Sequence, residues 1–236
     1  MNMAINYSYF EQDSYRIIKT HVSNIVSEVI KKPVCSTGNY GINGGFFNSI
    51  NYNSPPTEGL SIAHDGKVGN PSSNSGKYRG TLFTYSQNGQ TKAGIIQCTD
   101  VANLKTQVGY LNFKTIIGGG SLALGVSEDK WLNNYYDAEG WSIAATVPLH
   151  GRSGIGLKTE NGEQKAFLAV SVNGFRTLTS LRNLFIDLGC TAGMFLDGSG
   201  SAQMQVYANG GLIQEKGTDG GTGRYIWNMV KLINKS

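Results

Sequence analysis

Glycine is concentrated at the ends of short apolar runs, at positions 44–45, 118–120, 151–156 and 198–200. The runs beside it, such as FKTIIGGGSLALGV and GMFLDGSG, are short and rich in β-branched or aromatic residues. A chain broken this often does not propagate long helices, because glycine inside a helix is destabilising. It can build strands joined by tight turns. The chain has 32 glycines and only 16 acidic residues in 236 positions, so few long charged side chains are available to clothe solvated helices.

The pattern along the chain predicts an α+β fold: one domain with a large mixed or antiparallel sheet, glycine-rich turns and a few short helices. Residues 15–35 read as two β-branched strands. TLFTYSQNGQTKAGIIQ reads as a hairpin turning at Asn88 and Gly89. VANLKTQVGYL reads as a short helix capped by Asp100, and EDKWLNNYYDAEG as a helical excursion. KTIIGGGSLALGV and GMFLDGSGSAQMQVYANGG each read as strand, glycine turn, strand. TLTSLRNLFIDLGC is the clearest helix. Thr177 or Thr179 caps it, Leu178, Leu181, Leu184, Phe185 and Leu188 form its apolar face, and Gly189 ends it. Arg176 and Arg182 are expected as surface charges near it.

Several function classes are disfavoured. The net charge of +4 comes from scattered basic residues and not from the dense stripe that nucleic acid requires, so no nucleic-acid polymer is expected as partner. No apolar run approaches the length of a membrane span. Cys35, Cys98 and Cys190 are odd in number and widely spaced, which predicts free thiols, not a disulfide framework or a C-x-x-C site. His21, His64 and His150 are far apart, and no metal site or cofactor is expected. MNMAINYSYFEQDSYR lacks an apolar core behind basic residues, which predicts a cytoplasmic protein or a phage-encoded one released by lysis.

Polar or charged groups flank the glycine turns: Asn43, Ser121, Arg152, Asp197 and Ser201. Exposed N–H groups in such turns form anion-binding concavities, although each turn could equally be an ordinary hairpin. Five pieces in order carry a resemblance: NGGFF at 43–47, GLSIAHDGKV at 59–68, IIGGGSLALG at 116–125, GRSGIGL at 151–157 and LDGSGSAQM at 196–204. Together they resemble the phosphodiester glycosidase family, from about Asn39 to the end. Residues 39–236 would then be the family's domain, with 1–38 adding N-terminal strands to it. One position departs from the family's pattern: Ser199 stands where the family usually has the middle of three glycines.

The resemblance implies hydrolysis of the bond between a sugar's anomeric carbon and a phosphodiester, with a small anionic glycosyl phosphate as substrate. The alternative is a non-catalytic phosphoglycan- or nucleotide-binding module. Arg152 is expected to clamp the phosphate, because its fork matches phosphate oxygens bidentately. Asp197 is expected as nucleophile, base or electrostatic stabiliser. Gly44, Gly45 and Gly198 would let backbone approach the substrate, with Asn43 orienting a polar group on it. Ser201 would bond the phosphate or the carboxylate, and Arg224 would add a second phosphate contact. Glu58 is either a second carboxylate or a solvated loop charge. His150 either touches the phosphate or is structural.

Overall fold

The computed structural model describes residues 6–65, 69–70, 74–141, 145–147, 151–218 and 221–234. Strand takes 46% of the chain and helix 17%, so the protein is mainly β with a few short helices, roughly consistent with the α+β expectation. The expected single large sheet is instead three main sheets and one two-stranded ribbon. Every pairing among the described strands is antiparallel.

The first sheet runs, in spatial order, Tyr7–Gln12, Tyr15–His21, Glu163–Ser171, Ser153–Glu160, Ala192–Phe195 and Gly120–Ser121. The second runs Gln90–Cys98, Arg79–Gln87, Asn112–Gly118, Ala63–His64 and Gly69–Asn70. The third runs Gly211–Lys216, Gln203–Ala208, Gly41–Asn43, Ile226–Leu232 and Ile25–Lys32. One apolar cluster draws on all three: Ile18 and Leu168 from the first, Leu82 and Ile117 from the second, Ile42 and Val230 from the third. Burying these side chains together is the main force holding the sheets to one another.

Local signals act as the sequence predicts. The hairpin turns at Asn88 (φ 50) and Gly89 (φ 76), the left-handed pair that matches the strands' twist. Asp100 accepts a hydrogen bond from Asn103 N (2.8 Å) and caps helix Val101–Val108. Thr177 accepts from Ser180 N (2.8 Å) and caps helix Leu178–Asp187, whose Leu178, Leu181, Leu184 and Phe185 are buried. Cys98 and Cys190 are buried free thiols, while Cys35 is only half-buried.

In two of the expected strand–glycine turn–strand stretches, the turn carries the chain from one sheet to another. Strand Asn112–Gly118 belongs to the second sheet, and Gly120–Ser121 leaves to pair with Ala192–Phe195 in the first. Gly119 and Gly120 make that crossing possible, because a Cβ would stand 2.2 Å from Phe195 O and 2.1 Å from its ring, respectively. Ala192–Phe195 in turn leaves the first sheet, passes through a 3-10 turn at Ser199–Ser201, and enters the third as Gln203–Ala208. Arg182 is not a surface charge. It is 3% exposed and donates to the carbonyls of Leu122 (2.9 Å), Ala123 (3.3 Å) and Val126, bracing the segment after the first crossing.

Candidate active site

The second crossing sets the site. Strands Ser153–Glu160 and Ala192–Phe195 pair with Gly154 opposite Phe195, and Leu196 N donates to Ser153 O (2.9 Å). Antiparallel pairing therefore places Arg152 beside Asp197, just past the paired positions. The backbone there is pinned from several sides. The Asp197 carbonyl accepts from Asn43 Nδ2 (2.7 Å) and Ser153 Oγ (2.9 Å), and Asp197 N donates to Gly44 O (3.3 Å). Ser199 N donates to Gly151 O (2.8 Å), folding the turn over the start of the arginine strand.

A cleft of about 90 Å³ opens at this point. Asp197, Gly198, Ser199, Arg152 and Arg224 form its polar side, and Phe46, Tyr136, Trp141, Leu178, Phe195 and Leu196 its apolar side. Asp197 is the only carboxylate among the described residues lining it. A larger groove of about 500 Å³ opens beside strands Ile25–Lys32 and Asn112–Gly118, but it holds none of the expected site residues.

The electrostatics of the cleft are unusual. Burial pushes the Asp197 carboxyl up to about 6, opposed by Ser201, by the Arg224 charge and by the Gly198 N–H, which donates to Oδ1 at 3.0 Å. The Ser201 hydroxyl is fully buried. It lies close enough to lower the Asp197 pKa, yet it forms no hydrogen bond of ordinary geometry with the described residues. Arg152 is 3% exposed; its Nε donates to Arg176 O (2.9 Å), while its Nη2 has no partner among the described residues. Burial lowers its pKa, and Tyr136 and Tyr15 nearby oppose that shift. A guanidinium stays charged regardless. Arg224 sits 3.7 Å over the Tyr52 ring and lines the cleft.

The structure thus brings together Asp197, Arg152, Gly198, Ser201 and Arg224. It does not bring Glu58 with them. Glu58 is exposed in the two-stranded ribbon, where it accepts from Asn48 Nδ2 (3.2 Å). Of the two readings left open by the sequence, the solvated loop charge fits this position. His150 lies outside the described residues.

Asn43, Gly44 and Gly45 work from behind the site and do not line it. Both Asn43 amide hydrogens go to carbonyls, Asp197 O and Gly44 O, and its Oδ1 accepts from Gln203 N (3.1 Å). A Cβ on Gly44 would stand 2.4 Å from the Asn228 side chain. On Gly45 it would stand 1.9 Å from Ser61 Oγ and 2.2 Å from Gly118 O. These glycines admit neighbouring chain, not ligand. Gly45→Ala is accordingly expected to lower stability by about 2–3 kcal/mol, as overpacking against backbone does. Urea unfolding checks this, and an unchanged midpoint would show that the space is not needed.

Ser199 is in the left-handed region, at φ 58. That conformation is strained for a residue with a Cβ and free for glycine. Ser199→Gly is expected to raise stability by about 0.5–1 kcal/mol, the strain relieved less the extra chain entropy. A lower melting temperature would mean that the serine side chain makes a contact outweighing the strain.

Sequence reasoning missed Tyr136, Trp141 and Glu139. Helix Glu128–Trp131 runs into a π-helical turn, Leu132–Tyr136, which turns Tyr136 into the cleft. Glu139 is fully buried and accepts from Gly80 N (3.1 Å), Gln97 Nε2 (2.9 Å), Ser121 N (3.0 Å) and Trp141 Nε1 (2.6 Å). It ties the second sheet to the first and holds Trp141, which packs tilted against Phe46 (4.5 Å) and lies under the Arg79 guanidinium (3.9 Å). Nothing in a periodicity pattern marks an acid for such a role. Among the described residues, no three His, Cys, Asp or Glu side chains gather as a metal site.

No curated protein matches the chain. Among solved structures, the chain is similar to the catalytic domain of zebrafish N-acetylglucosamine-1-phosphodiester α-N-acetylglucosaminidase, auto-inhibited by its pro-peptide. The TM-score is 0.64 at 18% identity, covering 97% of this chain and 81% of that one. At that identity the likeness is one of fold. A hypothetical protein from Synechocystis aligns with TM-score 0.49 at 14% identity, over 95% of this chain and 61% of that one. The model of the phosphodiester glycosidase family matches residues 36–232, from just before the third-sheet strand Gly41–Asn43 through the last strand, Ile226–Leu232. With that match over most of its length, the chain belongs to the phosphodiester glycosidase family.

Proposed function

We propose that this protein is a hydrolase of glycosyl-1-phosphodiesters, with a GlcNAc-type, nucleotide-linked or cell-wall-linked sugar as substrate. The observation that carries the reading is the pairing across adjoining strands. A carboxylate with a pKa near 6 shares one small cleft with an arginine whose Nη2 has no partner among the described residues.

A phosphodiester is already a stable anion when it leaves, so the reaction needs little help from a general acid. Ordinary glycosidases use two carboxylates, one of them to protonate the leaving oxygen. A cleft with a single carboxylate among its described residues suits the phosphodiester case. Arg152 would grip the non-bridging oxygens, with the Arg224 charge near, and hold the leaving group in line. Asp197, mostly ionised at neutral pH, would face the anomeric carbon as positive charge develops there. It would act as nucleophile, as base for a water, or as electrostatic stabiliser. The small volume fits the reacting phosphate and leaves most of the substrate at the rim.

The test is release of free sugar from a panel of GlcNAc-1-phosphodiesters, UDP-GlcNAc included, by the purified protein. Saturable binding without release from any of them would favour the second reading, a phosphoglycan- or nucleotide-binding module. The strained Ser199 in the cleft wall is the observation that supports that alternative.

A further inference from the structure

Tyr136 is 5% exposed and lines the cleft, and its hydroxyl is buried with no partner among the described residues. Its ring is well supported. It meets Trp131 edge-on at 6.0 Å and lies tilted against Phe195 at 6.3 Å. Aromatic packing therefore fixes the direction of the hydroxyl without a hydrogen bond to hold it.

A buried hydroxyl normally finds a partner, because leaving it unmade forfeits the hydrogen bonds it had in water. Here two such groups are neighbours. The Arg152 charge acts on Tyr136 and the tyrosine acts back on Arg152. Arg152 Nη2 likewise has no partner among the described residues, and no hydrogen bond joins the two. Even if the guanidinium donated to the phenol oxygen, the phenol proton would still need an acceptor. A guanidinium cannot be one. An anionic group with several acceptor oxygens would satisfy both groups at once, and with charge-assisted hydrogen bonds.

The backbone that delivers Tyr136 fits this reading. It is the last residue of the π-helical turn Leu132–Tyr136, and single π-turns occur disproportionately at functional sites. Such a turn rotates a side chain off the face that a regular helix would present. The adjacent Glu139 and Trp141 anchor the far end of the segment.

We propose that the Tyr136 hydroxyl is the second donor of the anion site, donating to the same phosphate group that Arg152 clamps. The proposal rests on the reading of the cleft as a phosphodiester site and adds a binding residue to it. Burial raises the phenol's pKa above its usual value, so the proton is present across the working pH range. Tyr136 then serves as a donor and not as a base. It also sharpens substrate choice: a tetrahedral oxyanion can engage both groups, whereas a neutral glycoside leaves both unsatisfied.

Tyr136→Phe tests this, because it keeps the ring in its aromatic cluster and removes only the hydroxyl. Inorganic phosphate and UDP-GlcNAc are titrated calorimetrically into the wild type and the variant, with the unfolding midpoint of each measured alone. Affinity for both ligands is expected to fall about tenfold to a hundredfold, the usual loss for one hydrogen bond to a charged group. The unfolding midpoint is expected to hold or rise, since an unsatisfied buried polar group is gone. That pairing separates a ligand contact from a structural role, which would leave affinity alone. Affinities within about twofold of wild type would overturn the proposal.

The outcome for Tyr136 is separable from the outcome for the hydrolase. A wild type that binds but releases no sugar, with binding lost in Tyr136→Phe, supports the anion site and removes the hydrolase. A wild type that turns over, with Tyr136→Phe matching it in kcat/KM and affinity, removes the tyrosine's role and leaves the hydrolase standing.

Discussion

Asp197→Asn is expected to abolish turnover and to stabilise the fold in the same protein. The carboxylate is the only one among the described residues lining the cleft, and none of those residues could replace it. Removing it should lower kcat by about 10²–10³-fold or more, the loss seen when one preorganised electrostatic group is taken from an active site. The stability gain follows from the same burial. The folded protein holds the Asp197 pKa at about 6 against an ordinary 3.8, so it binds this proton more tightly than the unfolded chain does. Above pH 6 the charge is buried at a cost, and below 3.8 that cost disappears because both states are protonated. The neutral amide removes it, giving a gain of about 1–3 kcal/mol near pH 7 that shrinks to nothing as the pH falls through the window between those two values. Sugar release and urea unfolding, measured across that range, check both halves. The wild-type rate should fall on the acid side of about pH 6, as the carboxylate takes up its proton. A rate that falls on the alkaline side instead would mean that Asp197 works as an acid, and an unstabilised variant would mean that the charge is better solvated than its surroundings suggest.

Arg152→Lys is the second large effect. The substitution keeps the positive charge and most of the length, so a site needing only a cation would survive it. The geometry argues for more than a cation. Nε is committed to Arg176 O, which orients the guanidinium and leaves Nη2 without a partner among the described residues. A lysine has no planar fork and would have to choose between the Arg176 carbonyl and the ligand. Loss of one charge-assisted hydrogen bond and of the orientation should lower kcat/KM by about 10²-fold, most of it in KM and in ligand affinity. Calorimetric titration with UDP-GlcNAc beside the kinetics separates the two. The opposition to the raised Asp197 pKa comes from Ser201, Arg224 and the Gly198 N–H, not from Arg152. The acid limb of the pH profile should therefore stay where it is in Arg152→Lys. A displaced limb would show that the two groups hold one another and that the clamp reading is wrong.

The candidate site was legible in part. Arg152 and Asp197 stand out in sequence because each follows or precedes a glycine turn at a strand end, and the structure pairs those ends. Asn43 was legible as a polar residue beside the glycines, but its task was not. Its amide faces the Asp197 carbonyl, a partner contributed by a distant strand. Tyr136 sits in LNNYY, where two tyrosines stand together and only the π-turn decides which one is buried at the cleft. Glu139 sits in an acidic, turn-like stretch whose natural reading is solvent, yet donors from both sheets satisfy its buried carboxylate.

By itself, the sequence determined whatever depends on neighbours along the chain. The left-handed turn at Asn88 and Gly89, the caps at Asp100 and Thr177, and the strands at 15–35 each rest on a backbone angle, a side-chain bond or a periodicity spanning a few residues. Only the tertiary structure decided which glycine turns close a hairpin and which carry the chain from one sheet to another. That choice depends on Phe195 lying against Gly119 and Gly120, and on Asn228 and Ser61 lying against Gly44 and Gly45. It likewise decided that Arg182 is buried among carbonyls and that Glu58 is left in solvent. A glycine's missing Cβ reads the same in sequence whether ligand or protein fills the space, and only the packing of distant strands says which.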